Sequence, residues 1–334
     1  GSESGIVSPH ILSGTHALTV ALFGLLRPKD TLLCISGMPY DTLRPVIFGE
    51  GNGSLKDYGI NFDCCDLTDG DFDYVAVKSK IDASVKMVYI QRSRGYELRD
   101  ALSCAQIEKV CRFLREEGFN GCIFVDNCYG EFVETREPTE VGADVIVGSL
   151  IKNAGGGLAQ NGGYICGKEK YINLIGNRLT TPSTGLEVGA YPLGYQYLYQ
   201  GLFLAPHTVA QALKCSILIG YAMSQLGYEN YPSLDKTPYD ITRAIKFDSA
   251  EKMTEFIREI QYASPIDSFV TCEAWDMPGY EEKIIMAAGT FVSGSSVELS
   301  ADGPVKPPYI AYFQGGLTYE HGKYALERIL KKLR

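Results

Sequence analysis

Four short apolar runs alternate with stretches patterned as helices. The runs are TLLCIS from Thr31, MVYIQ from Met87, GCIFVD from Gly121 and ADVIVGS from Ala143. The helix-like stretches are THALTVALFGLL from Thr15, AQIEKVCRFLREEG from Ala105 and EKYINLIGNRL from Glu169. An unbroken apolar run of strand length reads as a strand buried on both faces, and each parallel crossover needs an intervening helix. The alternation therefore predicts an α/β fold with a doubly wound, mainly parallel sheet.

Past Glu187 the pattern changes to a long helical region, LYQGLFLAPHTVAQALKCSILIGYAMSQLG, with an interruption expected at Pro206. The next stretch, YENYPSLDKTPYD, is rich in Pro, Asp and Tyr and reads as a linker. Beyond it ITRAIKFD, AEKMTEFIREIQYA, IIMAAG and PYIAYF predict a smaller α+β domain closed by the amphipathic GGLTYEHGKYALERILKKL. The expected division is a large domain over 1–230 and a small one over 236–334. A chain of 334 residues is long enough to give each its own core.

A formal charge of −9 argues against nucleic acid or an anionic membrane as the main partner, since phosphate contacts need clustered Lys and Arg. The ten cysteines lie inside apolar stretches and read as free thiols of a reducing cytoplasm. Neither a CxxC pair nor an HExxH is present, so no metal site is expected. The start GSESGIVSPH lacks a signal-peptide pattern, and no apolar run reaches the length of a membrane span.

In an open α/β sheet, ligands gather at the carboxyl ends of the strands. Four such ends carry chemistry here. Ser13-Gly14-Thr15-His16 opens a helix and reads either as an ordinary N-cap or as an anion site built from helix amides. Tyr40 follows TLLCIS and is either a packed turn residue or a plate over a planar ligand. Asp126 ends GCIFVD, where a buried carboxylate must find a donor or a cation or else cap a neighbouring helix. Ser149 ends ADVIVGS, and Lys152 stands three residues on, immediately before NAGGG.

A phosphate cradle, an aromatic plate, a carboxylate and a lysine together point to pyridoxal phosphate. The Lys152 amine would form a Schiff base with the cofactor aldehyde and later carry a proton, while Asp126 keeps the pyridine nitrogen protonated. Gly155, Gly156 and Gly157 would then let backbone approach the cofactor and give the amine room to swing.

The stretches LSGTHAL, SGMPYDT, IFVDNCYGEFVE, DVIVGSLIKNAGGG and GTFVSGSSVELSADGPVKPPYIAYFQGGLTYEHGK resemble the aluminium-resistance protein family. That family is described as methionine gamma-lyase-like, in the Cys/Met-metabolism branch of fold-type-I pyridoxal-phosphate enzymes. The resemblance runs over essentially the whole chain. It implies a mainly parallel seven-stranded sheet sandwiched by helices. It also implies a homodimer, or a tetramer of dimers, with active sites at the dimer interface.

Residue by residue, the resemblance makes Lys152 the Schiff-base lysine and Asp126 the pyridine-nitrogen partner. Gly14, Thr15 and His16, with Ser13 before them, become the phosphate-binding entry, Ser149 a phosphate ligand and Tyr40 the stacking tyrosine, which also assists proton transfer. Where the lyases carry an arginine for the substrate carboxylate, AYFQGGLTYE offers Tyr312 or Gln314. Arg92 and Arg94 of QRSRGY are the alternative anchors, the competing reading being two solvated loop arginines. The N-terminal arm of the relatives is expected to be missing. Glu298 and Asp302 in VELSADGP receive no chemistry from their spacing.

The expected activity is a carbon–sulfur lyase acting on an amino acid of the cysteine, homocysteine or methionine type, by α-proton abstraction and β- or γ-elimination. A transaminase or transferase of the same fold is one alternative. A pyridoxal-phosphate-binding stress-tolerance protein without significant turnover is the other.

Overall fold

The computed structural model describes residues 1–187, 189 and 191–333. The chain divides into two compact units. The first comprises Gly1–Gly95, Ala101–Leu150 and Asn161–Gln196; the second comprises Tyr96–Asp100, Ile151–Gln160 and Tyr197–Arg334.

The first unit carries, in chain order, β1 (Ser4–Ser8), α1 (Gly14–Leu25), β2 (Thr31–Cys34), α2 (Arg44–Phe48) and β3 (Asn61–Cys64). A small hairpin of β4 (Leu67–Thr68) and β5 (Asp71–Phe72) follows, then α3 (Tyr74–Lys80), β6 (Val85–Gln91) and α4 (Cys104–Glu116). β7 (Cys122–Asp126), β8 (Val145–Ser149), β9 (Gly163–Gly167) and α5 (Glu169–Leu179) complete it. Seven strands form one sheet in the order β1-β9-β8-β7-β6-β2-β3. The five from β3 to β8 in that order run parallel, and β9 is antiparallel to both of its neighbours. The sheet is therefore mainly parallel, as the alternation predicts.

Burial on both faces explains why the strand runs are apolar without a break. Leu32, Cys34, Met87, Phe124, Val145 and Val147 share a core with Leu18, Ala21 and Leu22 of α1 and Ile172 and Ile175 of α5. Leu33, Val88, Ile123 and Val125, which point the other way, are equally buried. α4 begins at a capping box, in which Ser103 and Gln106 each satisfy the other's backbone N–H. It turns Ile107, Val110 and Leu114 inward.

The second unit contains α6 (Gln196–Gln225, in this unit from its second residue), β10 (Glu229–Tyr231), β11 (Arg243–Lys246), α7 (Ala250–Ala263), β12 (Ile284–Ala287), β13 (Ser300–Pro304), β14 (Ile310–Gln314) and α8 (Tyr319–Leu333). Its five strands form an antiparallel sheet in the order β10-β11-β14-β13-β12. One face, with Ile245, Ile285, Ala301, Ala311 and Phe313, packs with Cys215, Ile219 and Met223 of α6, Phe256 and Ile260 of α7 and Ile329 of α8.

That core moves the domain boundary from the expected 230/236 to 196/197. The apolar stripe of α6 is completed by the small sheet, so the helix belongs to the second unit. The expected linker is in part a strand, because β10 pairs with β11. α6 also runs through Pro206 without a break. The proline is exposed, where water can take the carbonyl that it leaves unbonded. By length and composition alone α6 could cross a membrane, yet its Cys215, Ile219 and Met223 are fully buried in the protein core.

Candidate active site

The first unit gathers most of the expected residues on the carboxyl edge of its sheet. Ser13 is the N-cap of α1, its Oγ accepting the His16 N–H at 3.1 Å. The His16 ring Nδ1 accepts the Leu12 N–H at 3.0 Å. Both side chains are thus used in forming the helix entry. The Gly14 and Thr15 N–H groups donate to no other described residue, which leaves two amides at the positive end of the helix dipole. Gly14 is buried so closely against β8 that an added Cβ would stand 3.3 Å from the Ser149 Cβ. Ser149, 1% exposed, therefore shares this corner with the amides.

Tyr40 reaches the same entry. Its hydroxyl lies 2.8 Å from Thr15 Oγ1, and its backbone N–H donates to Gln91 Oε1 at 2.9 Å. Gln91 ends β6 and is the register partner of Asp126 on β7.

Asp126 is 4% exposed. One carboxylate oxygen accepts the Cys128 N–H at 3.1 Å and the other the Tyr89 hydroxyl at 3.3 Å. Burial, reinforced by the Asp126 charge, pushes the Tyr89 phenol well above its ordinary range, so it remains a neutral donor. Among the described residues no cation pairs with this carboxylate. A buried carboxylate with one amide and one long phenol bond has room for a strong N–H donor.

Arg92 does not serve as a substrate anchor. Its side chain is fully buried and donates to the Leu102 carbonyl (3.2 Å), Asn127 Oδ1 (2.8 Å), the Gly130 carbonyl (3.0 Å) and Glu134 Oε2 (2.6 Å). Its donor nitrogens are spent on pinning the loop after β7 and the chain entering α4. Arg92→Ala should therefore cost roughly 3 kcal/mol of stability or more, because it strands buried acceptors and a carboxylate; a urea midpoint unchanged from wild type would contradict this. Arg94 is also buried, at 1% exposure.

The second unit holds Lys152, half-buried at the start of a 3₁₀ turn over Asn153–Gly155. The Ile151 carbonyl accepts the Val297 N–H at 3.1 Å, which fastens the lysine's segment beside the chain leading into β13.

The glycines after the lysine have a different explanation from the one that the sequence suggests. Gly156 and Gly157 adopt φ of +56° and +80°, a region costly for residues with a Cβ. A Cβ at Gly156 would overlap the Gly201 carbonyl oxygen, and one at Gly201 would overlap the Gly155 carbonyl oxygen. Gly156 meets α6 backbone to backbone and a Cβ at Gly157 would meet the Leu317 side chain, so both glycines also shape the lysine loop through packing within this unit.

Tyr312 and Gln314, aligned with the missing arginine, are both buried. The Tyr312 ring packs 4.9 Å from that of Tyr96, and Gln314 donates to Ser295. Glu298 accepts the N–H groups of Phe291 (3.0 Å) and Val292 (2.9 Å), a loop-holding role. Asp302 was the acid most easily missed. Burial pushes its carboxyl up to about 6, against the opposing effects of the Tyr96 hydrogen bond and the Lys152 charge. An ionisable residue inside a strand otherwise fully buried is the signal that could have found it.

The carboxyl edge of an open α/β sheet is where ligands gather, and a helix N-terminus placed there suits an anion. The methionine gamma-lyase family model matches residues 1–334, and the chain belongs to that family. It is 51% identical over 330 residues to the Bacillus subtilis protein YnbB, covering 98% of this chain and 78% of that one. The solved structure of a carbon-sulfur lyase involved in aluminium resistance, from Clostridium novyi, superposes with a TM-score of 0.94 at 46% identity, covering 100% of this chain and 79% of that one. A Campylobacter jejuni structure containing N′-pyridoxyl-lysine-5′-monophosphate shares the fold, with a TM-score of 0.66 at 15% identity over 100% of this chain and 82% of that one.

Proposed function

We propose that the protein is a pyridoxal-phosphate-dependent carbon–sulfur lyase acting on an amino acid of the cysteine, homocysteine or methionine type. The observation that carries this reading is Asp126, a buried carboxylate at a strand end with no cationic partner among the described residues. A pyridinium N–H⁺ is the donor it suits. Membership of the methionine gamma-lyase family supports the same chemistry. The Clostridium novyi relative bears a carbon-sulfur lyase name.

In this reading the Gly14 and Thr15 amides and the Ser149 hydroxyl would hold the phosphate, Asp126 the ring nitrogen and Tyr40 the ring, and Lys152 would supply the amine for the covalent link. When bound, pyridoxal phosphate supplies an electron sink that makes removal of an amino acid's α-proton affordable. Lys152 Nζ takes that proton, and the Tyr40 hydroxyl, oriented by Thr15, passes a proton to the departing sulfur. Arg94 is left as the arginine for the substrate carboxylate. The released unsaturated amine takes up one water, so the products are a thiol, ammonia and a keto acid. The active protein is a homo-oligomer.

The test is release of thiol and keto acid from cysteine, cystathionine, homocysteine and methionine. Asp126→Asn should retain pyridoxal phosphate and lower release by about 10²-fold or more, because a neutral amide cannot hold the ring nitrogen protonated. Full activity in Asp126→Asn would remove the residue from its role. Cofactor retention with no release from any of these amino acids would favour the non-catalytic binding protein.

A further inference from the structure

Gln91 ends β6 as a buried carboxamide that the reading above leaves without a task, 6% exposed beside its register partner Asp126. Its backbone N–H donates to Ser36 Oγ at 2.8 Å, and its side-chain Oε1 accepts the Tyr40 N–H at 2.9 Å. One residue thus holds both ends of the segment that leaves β2 from Ser36 to Tyr40, turning through Gly37 at φ +89°. The Gln91 Nε2 donates to the Ser93 carbonyl at 3.0 Å. An N–H partner on one side of the carboxamide and a carbonyl on the other admit one orientation of the group.

Gly95 closes the arrangement from above. It has φ of +59°, and a Cβ there would stand 3.3 Å from Gln91 Nε2 and 3.4 Å from Tyr40 Cβ. The Tyr40 side chain therefore leaves its backbone beside the Gln91 carboxamide. At its far end the Tyr40 hydroxyl lies 2.8 Å from Thr15 Oγ1. Gln91 thus holds the tyrosine at its main chain and Thr15 holds it at its hydroxyl. Met87, Val88, Tyr89 and Ile90, which precede Gln91 on β6, are all buried. A carboxamide at the end of such a run is costly to desolvate unless its bonds are made, and an aliphatic residue would avoid that cost.

We propose that Gln91 is the positioning residue of Tyr40, tying the tyrosine's main chain to β6, the strand beside that of Asp126, and so fixing where the ring stands relative to the carboxylate. The proposal deepens the reading above and rests on pyridoxal phosphate being bound with Tyr40 on its ring. Because the bond is to the main-chain N–H, it is made whatever side chain stands at position 40. What Gln91 contributes to cofactor binding therefore passes through the ring and disappears when the ring is removed.

The experiment is a double-mutant cycle on the dissociation constant of pyridoxal phosphate, measured by equilibrium dialysis of the full chain stripped of cofactor. Gln91→Met keeps the length of the side chain, removes the acceptor and should weaken binding about tenfold. Tyr40→Ala should weaken it by at least as much. The double variant should bind as Tyr40→Ala does, within about twofold, whereas a glutamine that serves the fold alone lowers affinity by the same factor in both backgrounds. If Gln91→Met does not fold, Gly95→Ala, whose added carbon presses on Gln91 Nε2 and Tyr40 Cβ, decides in the same two backgrounds. Equal factors in the two backgrounds, or an affinity unchanged by the deciding variant, overturn the proposal while leaving the cofactor reading intact. A wild-type chain that binds no pyridoxal phosphate overturns that reading and the proposal with it.

Discussion

Lys152→Ala is expected to lower amino-acid turnover by about 10³-fold or more and to abolish the borohydride-reducible link between cofactor and protein. The replacement deletes both the covalent link and the proton carrier. It leaves the helix-entry amides, Ser149 and Asp126 in the first unit, so reversible retention of pyridoxal phosphate should remain measurable by dialysis. Alanine keeps the residue's backbone bond in the turn, where the carbonyl accepts the Gly155 N–H at 3.2 Å, and no side-chain cap is lost. Lys80 and Lys168 are poor substitutes, being paired with Asp63 and Asp144. Turnover within about tenfold of wild type would show that the nucleophile lies elsewhere.

Gly201→Ala should cost roughly 3 kcal/mol or more, a large effect for one methyl outside the chemistry. The added carbon would overlap the Gly155 carbonyl oxygen and sit 3.0 Å from the carbonyl carbon. Both partners are backbone, so no rotamer change relieves the contact. Either α6 tilts away or the loop carrying Lys152 moves, and the variant should therefore also label more slowly at Lys152 with pyridoxal phosphate. Leu202→Ala, at an exposed position next to it, is the control and should stay within about 0.5 kcal/mol of wild type. Equal urea midpoints for Gly201→Ala and the control would show that α6 and the loop are not in close backbone contact.

The main sheet was legible because strands buried on two faces cannot hide their composition: TLLC, VKMVYIQ, CIFVD and VIVGS hold few polar positions. β3, with sequence NFDC, escaped notice because it lies at the sheet edge and is only partly buried. The residues at the strand ends were legible for the same reason, since a polar side chain at the end of an apolar run needs an explanation. Arg92 was misread because sequence shows an arginine after a strand but not the carbonyls and carboxylate waiting for it. The contact of Gly156 with a helix some fifty residues further along the chain is not visible in the sequence, where the glycines read only as room beside Lys152. Asp302 carries no chemical signal in the sequence because its burial opposite Tyr312 of β14 arises only in the fold.

The most direct test of the account is to incubate the purified protein with pyridoxal phosphate, remove the excess, reduce with borohydride and map the modified peptide by mass spectrometry. The account predicts one pyridoxyl group, on Lys152. A pyridoxyl group on any other lysine, or a protein that stays colourless and unmodified, would contradict it.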